Sequence, residues 1–155
     1  MTGHTHHAKV RFPPPLVFLG NLVAALVLNW FLPIPAPWPV QARLLGGVLI
    51  VGGLLLGGFA VSRMHAARTS PDPDQPTTSL IIEGPYRLTR NPIYLGFALI
   101  ILGGTFLAGT LWGMFLAPFL VATVTRVIIR AEEQYLQATF AGRYSEYRSR
   151  VRQWL

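Results

Sequence analysis

With 52% of its 155 residues apolar, only 12% charged and a mean hydropathy of +0.44, this chain does not read as a water-soluble globule, and its length suits one domain. The net charge of +7 would suit nucleic acid, but no nucleic-acid recognition motif accompanies it, so nucleic acid is not an expected partner. The absence of cysteine excludes disulfides, thiolate metal sites and cysteine nucleophiles.

Residues 1–15 read as a flexible N-terminal tail. His4, His6 and His7 lie there as solvated side chains rather than a metal site, and Pro13-Pro14-Pro15 gives a stiff, extended lead into the first apolar block. There are four such blocks: Leu16 to Leu32, Leu44 to Val61, Ile93 to Ala108 and Leu111 to Ile129. Each is near the ~20 residues that carry a helix across a bilayer, and none alternates with period two as a barrel strand does. The sequence therefore predicts an all-α integral membrane protein of four transmembrane helices, forming one domain over residues 16–155. No small-residue cleavage signature comes after the first block, so it is expected to be retained.

Between the first two helices, Pro33 to Pro39 makes a short, rigid connection with an interfacial Trp38. Helix two carries the glycine pairs Gly46-Gly47, Gly52-Gly53 and Gly57-Gly58. Gly53 and Gly57 stand four apart, a spacing that lets a neighbouring helix approach closely and would also allow a homo-oligomer. The other use for such residues is space for a ligand beside Gly58 and Ala60. From Arg63 to Thr78 the chain is polar, with Ser70-Pro71-Asp72-Pro73-Asp74 unsuited to helix or strand and His65 read as interfacial. Leu80-Ile81-Ile82 is then an apolar patch for the interface or for the wall of a site.

Glu83 to Tyr94 is the most punctuated segment. Gly84-Pro85 marks a turn, Asn91 is an expected N-cap, and Pro92 suits the first helical position. A helix start beside Arg87 and Arg90 can receive an anionic group. Helices three and four, separated by Gly109-Thr110, form a tight hairpin, and Pro118 is expected to kink the second of them. The helical pattern of helix four runs past the membrane through Arg126, Arg130, Glu132, Glu133 and Phe140 to Gly142, the expected C-cap. Arg143 to Leu155 then reads as an amphipathic helix along the membrane surface, with Tyr144, Tyr147, Val151 and Trp154 on one side. Twelve of the thirteen basic residues fall on the side of the two termini, and only Arg43 lies opposite. By the positive-inside rule both termini are cytoplasmic, and the basic surface suits anionic membrane lipids.

Carboxylates at a membrane-helix end need solvent, a partner or a function, so Glu132-Glu133 stands out. Spacing allows Arg126, Arg130 and Glu133 to share a face as intrahelical ion pairs. The hairpin, however, also returns this end to Asn91-Pro92, gathering Arg87, Arg90, Asn91, Tyr94, Glu132 and Glu133 into one pocket. That set suits a zwitterionic ligand, so the residues alone point to a membrane-embedded cofactor or headgroup site. No Ser-His-Asp set, HExxH metal motif or Walker loop is present, and no metal is expected.

Three stretches add a resemblance: GPYRLTRNPIYLG, then Arg130-Ala-Glu-Glu-Gln-Tyr-Leu136, then Phe140-Ala-Gly-Arg-Tyr-Ser-Glu-Tyr147-Arg. Their order and spacing over residues 83 to 152 resemble the isoprenylcysteine carboxyl methyltransferase and phospholipid methyltransferase group. The resemblance implies S-adenosylmethionine bound without a Rossmann domain, in segments 83–94 and 126–147. It implies cofactor contacts from Arg87, Arg90, Asn91, Pro92, Tyr94, Glu132 and Glu133, with Arg90 or Glu132 orienting the acceptor. Asn91 stands where many members have histidine; it can hydrogen-bond but cannot titrate near neutral pH. The implied acceptor is lipophilic and enters from the bilayer: a prenylcysteine carboxylate, a phospholipid amine or a small lipophilic molecule. Two rival readings are an NADPH-dependent sterol-type reductase and a non-enzymatic membrane scaffold or lipid-binding protein.

Overall fold

The chain's architecture comes from a computed structural model that describes residues 13–70 and 77–155. The tail histidines and Pro71 to Asp74 lie outside the described residues. Five helices succeed one another: α1 (Pro14–Phe31), α2 (Val40–Ala66), α3 (Pro92–Ala108), α4 (Trp112–Thr123) and α5 (Arg130–Arg150). A 3-10 turn, Gly84–Arg87, precedes α3, and a wide i→i+5 helical stretch, Val124–Ile129, joins α4 to α5 without a break. Among the described residues there is no β-strand, only an isolated bridge between Pro35 and Thr110. Hydrogen bonds from Ala36 N–H to the Gly109 carbonyl (2.8 Å) and from Leu111 N–H to the Ile34 carbonyl (3.2 Å) tie the α1–α2 connection to the α3–α4 turn at one end of the bundle.

Among the described residues, three helical stretches are long and apolar enough to cross a membrane: α1, α2 and the continuous Trp112–Arg150. α3, with 17 residues, is a shorter apolar helix. Their outer faces are rich in exposed Leu, Val and Phe, as expected where lipid rather than water is the solvent. The protein is an all-helical integral membrane protein. α2 is longer than its apolar block at both ends, because helix geometry continues to Pro39 on one side and through Arg63 and His65 on the other.

The closest packing is between α2 and α3, where glycine faces glycine. A Cβ placed on Gly53 would stand 2.5 Å from the Gly96 carbonyl oxygen, and one on Gly96 would stand 2.6 Å from that of Gly53. Gly46 and Gly103 repeat the arrangement two turns away. Lipid gives helices no hydrophobic reason to associate, so this backbone contact, rich in dispersion energy, is what registers α3 against α2. The small-residue spacing of helix two is thus used within the chain, while a Cβ placed on Gly47, Gly52 or Gly58 would meet no other element within 4 Å.

α3 ends at Gly109, whose φ of +66° places it in the left-handed region that suits glycine, and the hairpin to α4 is as short as the sequence suggests. Pro118 sits inside α4, and the backbone leaves α geometry beyond it, at Val124–Ile129. Val124, Ile128 and Ile129 from that stretch are buried with Phe18, Tyr94 and Leu120 as the apolar core. The wide turn re-aims the helix so that α5 leaves the core beside the start of α3.

Two expectations for the C-terminal part need correction. The helix breaks at Ala141 (φ 42°, ψ −114°), not at Gly142, and resumes to Arg150. Gln137 and Ser145 brace the bend by a hydrogen bond of 2.9 Å. Nor do Tyr144 and Tyr147 face the membrane: Tyr144 is 1% exposed, and the Tyr147 hydroxyl donates to the Tyr86 carbonyl at 2.6 Å. The bend folds the aromatic face inward, over the polar loop, where each ring buries its body and pairs its hydroxyl.

Gly96→Ala should therefore destabilise the protein by about 1–3 kcal/mol through overpacking. Gly104→Ala, on the same helix but with open space at its Cβ, should be neutral or slightly stabilising. Thermal unfolding of the two variants in detergent checks this.

Candidate functional site

A cavity of about 880 Å³, its open mouth included, lies where α3 begins and α5 leaves the core. The 3-10 turn, α3, α5 and the α2 end supply its walls, with Leu80 and Ile81 as an apolar flank. The apolar patch before Glu83 thus closes on the cavity.

Gly84, at φ +61°, starts the 3-10 turn, and its three-residue period sends Tyr86 and Arg87 to opposite sides. Tyr86 lines the cavity; Arg87 is exposed and does not, contrary to expectation. Burial first, and the Glu132 carboxylate second, push the Tyr86 phenol well above its ordinary pKa, so it stays a neutral hydrogen-bonding group. Asn91 is at the N-cap position of α3 but does not cap it. Its Nδ2 donates instead to the Gln153 carbonyl at 2.9 Å, because the C-terminal tail lies across that helix start. Pro92, with no N–H to satisfy, opens the helix and lines the cavity.

One turn into α3, the Tyr94 hydroxyl donates to Glu132 Oε1 at 2.5 Å, and Phe18 of α1 stacks on its ring with centroids 6.1 Å apart. Glu133 does not pair with Arg130, which is exposed as Arg126 is. It meets Arg90 instead, with Nη1 to Oε1 2.9 Å and side chains only 10% and 14% exposed. The same guanidinium reaches the Tyr144 hydroxyl at 3.5 Å, and its Nε is buried without a partner. A charge removed from water needs a partner, and α5 returning beside α3 supplies a better-enclosed one than its own helix could.

Six of the seven residues expected at the site therefore line one cavity: Arg90, Asn91, Pro92, Tyr94, Glu132 and Glu133. Sequence reasoning misses Tyr86, Tyr135, Tyr144 and Tyr147 as lining residues. Tyr86 lies inside the segment singled out. Tyr144 and Tyr147 have a spacing that marks a covered face, but such a face looks the same in sequence whether lipid or protein covers it. Chemically, one guanidinium and two glutamate carboxyl groups share the cavity amid phenols, with an unfilled donor at Arg90. The cavity can hold a ligand carrying both a carboxylate and positive charge.

A model of the family described as phospholipid methyltransferase matches residues 42–143, well over half the chain. The chain belongs to the phospholipid methyltransferase family. Among curated proteins and solved structures, none matches it. Membership implies a membrane methyltransferase that acts on lipids and uses a methyl donor. The matched region of this phospholipid methyltransferase family member takes in Arg90, Tyr94, Glu132 and Glu133 but stops before Tyr144, Tyr147 and the tail that covers the α3 start.

Breaking the Arg90–Glu133 pair should be costly. Arg90→Met leaves an enclosed carboxylate without its cation, for an expected loss of roughly 3 kcal/mol. The double variant Arg90→Met/Glu133→Gln removes the stranded charge and should recover much of that, as denaturant unfolding of the three proteins would show.

Proposed function

We propose that the protein is an S-adenosylmethionine-dependent methyltransferase with its cofactor in this cavity, acting at the cytoplasmic membrane face on a lipophilic acceptor. The observation that carries the proposal is the enclosed polar set, in which Arg90, with a buried, unpartnered Nε, pairs with Glu133 and shares the cavity with Glu132. The cofactor has a carboxylate, an ammonium and a sulfonium, and the chain's residues fit each in kind. Arg90 takes the carboxylate; Glu133 takes the ammonium or ribose hydroxyls; Tyr94 packs against the cofactor beside Asn91 and Pro92. Arg87, exposed and outside the cavity, leaves the carboxylate to Arg90.

When bound, the cofactor supplies an electrophilic methyl group on sulfur. The protein's share is alignment, closeness and exclusion of water, for which a covalent nucleophile is unnecessary. A phospholipid amine arrives as an ammonium and must lose a proton before its nitrogen can bond to the methyl carbon. Glu132, held by the Tyr94 phenol at 2.5 Å, is the group assigned to accept that proton and to orient the acceptor. With Asn91 in place of a histidine, no imidazole serves that purpose here. The acceptor enters laterally from the bilayer past Leu80, Ile81 and Leu136. The cytoplasmic assignment rests on the positive-inside rule, by which twelve of the thirteen basic residues are expected on the side of the two termini.

Calorimetric titration of the detergent-solubilised protein tests the cofactor. S-adenosylmethionine and S-adenosylhomocysteine should bind saturably, Arg90→Ala and Glu132→Ala should each weaken binding at least about tenfold, and NADPH should not bind. A folded sample that binds NADPH alone, or none of the three, overturns the proposal. Because the chain lacks cysteine, single cysteines report its orientation. In right-side-out vesicles an impermeant maleimide should label Gln41→Cys and spare Leu155→Cys.

A further inference from the structure

We infer that Gln153, in the extended tail after α5, is a positioning residue for this site, aligning Glu133 through its side-chain amide. The inference rests on the proposed cofactor site and extends it to a segment beyond the family match, which ends at residue 143. After Arg150 the chain becomes extended, with Val151 at φ −119° and ψ 131°, and crosses the start of α3. There the Arg90 N–H donates to the Arg152 carbonyl at 3.0 Å. The Thr89 hydroxyl and the Asn91 amide both donate to the Gln153 carbonyl, at 3.0 and 2.9 Å. Beyond it, Trp154 Nε1 donates to Thr125 Oγ1 at 3.1 Å in the wide turn between α4 and α5. The tail is thus anchored by its main chain to the segment just before α3 and by Trp154 to the wide turn before α5.

The Gln153 side chain adds nothing to that anchorage. Its Nε2 donates to Glu133 Oε1 at 3.2 Å, the same oxygen that Arg90 reaches at 2.9 Å. Two donors on one oxygen fix the carboxylate's rotation and leave Oε2 as the oxygen available to a ligand. A neutral amide does this without placing a second cation where the ligand's positive part would sit. Gln153 acts only through Glu133.

The test separates the side chain from the anchor, because substitutions at Gln153 keep its carbonyl. Gln153→Met retains length and loses the donor; Gln153→Glu retains shape and puts a like charge against Glu133. Titration of the full-length, solubilised protein with S-adenosylhomocysteine should show about tenfold weaker binding for Gln153→Met, and weaker still for Gln153→Glu. In turnover the loss should appear in the KM for the methyl donor with kcat little changed, and Gln153→Met should melt as the unsubstituted protein does. Binding by Gln153→Met equal to that of the unsubstituted protein overturns the inference and leaves the proposed function standing. Equal losses in both variants together with a lower melting temperature also overturn it, since the residue would then only hold the tail. Failure of the folded, unsubstituted protein to bind S-adenosylmethionine or S-adenosylhomocysteine removes the proposed function, and this inference with it.

Discussion

Everything at the polar end of this bundle depends on Arg90 and Glu133 meeting at 2.9 Å inside a cavity wall. Neither charge is tolerable there alone, and together they are tolerable only if their geometry is held from both sides. Arg90 is fixed by the turn before α3 and by its main-chain bond to the tail. Glu133 is fixed by the helix that continues from the membrane core. The pair spans two elements that are distant in sequence, so the structure must bring the α3 start and the α5 start to one place. The Gly109 turn sets the return of the chain, and the glycine contacts of α2 with α3 set the register. The wide turn at Val124–Ile129 sets the exit angle. Each is a backbone device with little chemistry of its own.

These levels differ in how legible they are in the sequence. Helix positions are readable because lipid imposes continuous apolar runs, and their lengths announce themselves. The site is readable because charged residues are rare in such a chain: with six acidic residues in all, two adjacent carboxylates at a helix end are conspicuous. Partner choice is not readable. Arg130 lies three residues from Glu133 and Arg90 lies forty-three away, and local spacing favours the nearer. The fold overrides it because Arg130 points to solvent, where an ion pair gains little. The C-terminal tail misleads for a related reason. An aromatic stripe in a basic segment signals an apolar surface to cover, and here that surface is the chain's own polar loop and α3 start.

Tyr94 shows how core and site are joined. Its ring belongs to the apolar core with Phe18, Leu120 and Ile128, and its hydroxyl belongs to Glu132. The helices' packing therefore dictates where the Glu132 carboxylate stands, without reliance on a mobile loop. That arrangement suits methyl transfer, in which the reacting atoms must be aligned and close while the protein itself forms no bond to them. It also divides the two glutamates. Glu132 is held by a neutral phenol, while Glu133 is held by the Arg90 guanidinium, so the two carboxyl groups meet partners of different charge.

Asn91 completes the division. Where a histidine would bring a group that titrates near neutral pH, this chain has an amide committed to the Gln153 carbonyl at 2.9 Å. At this position the side chain holds the tail. Once the tail is held, its next contact is the Gln153 amide on Glu133. The asparagine and the tail belong together: a neutral imidazole at position 91 could offer a ring N–H to the same carbonyl only in one tautomer. An asparagine offers that donor at every pH. On the proposed mechanism, proton acceptance then falls to Glu132, and cofactor alignment falls to an Arg90–Glu133–Gln153 chain whose last member comes from the far end of the sequence.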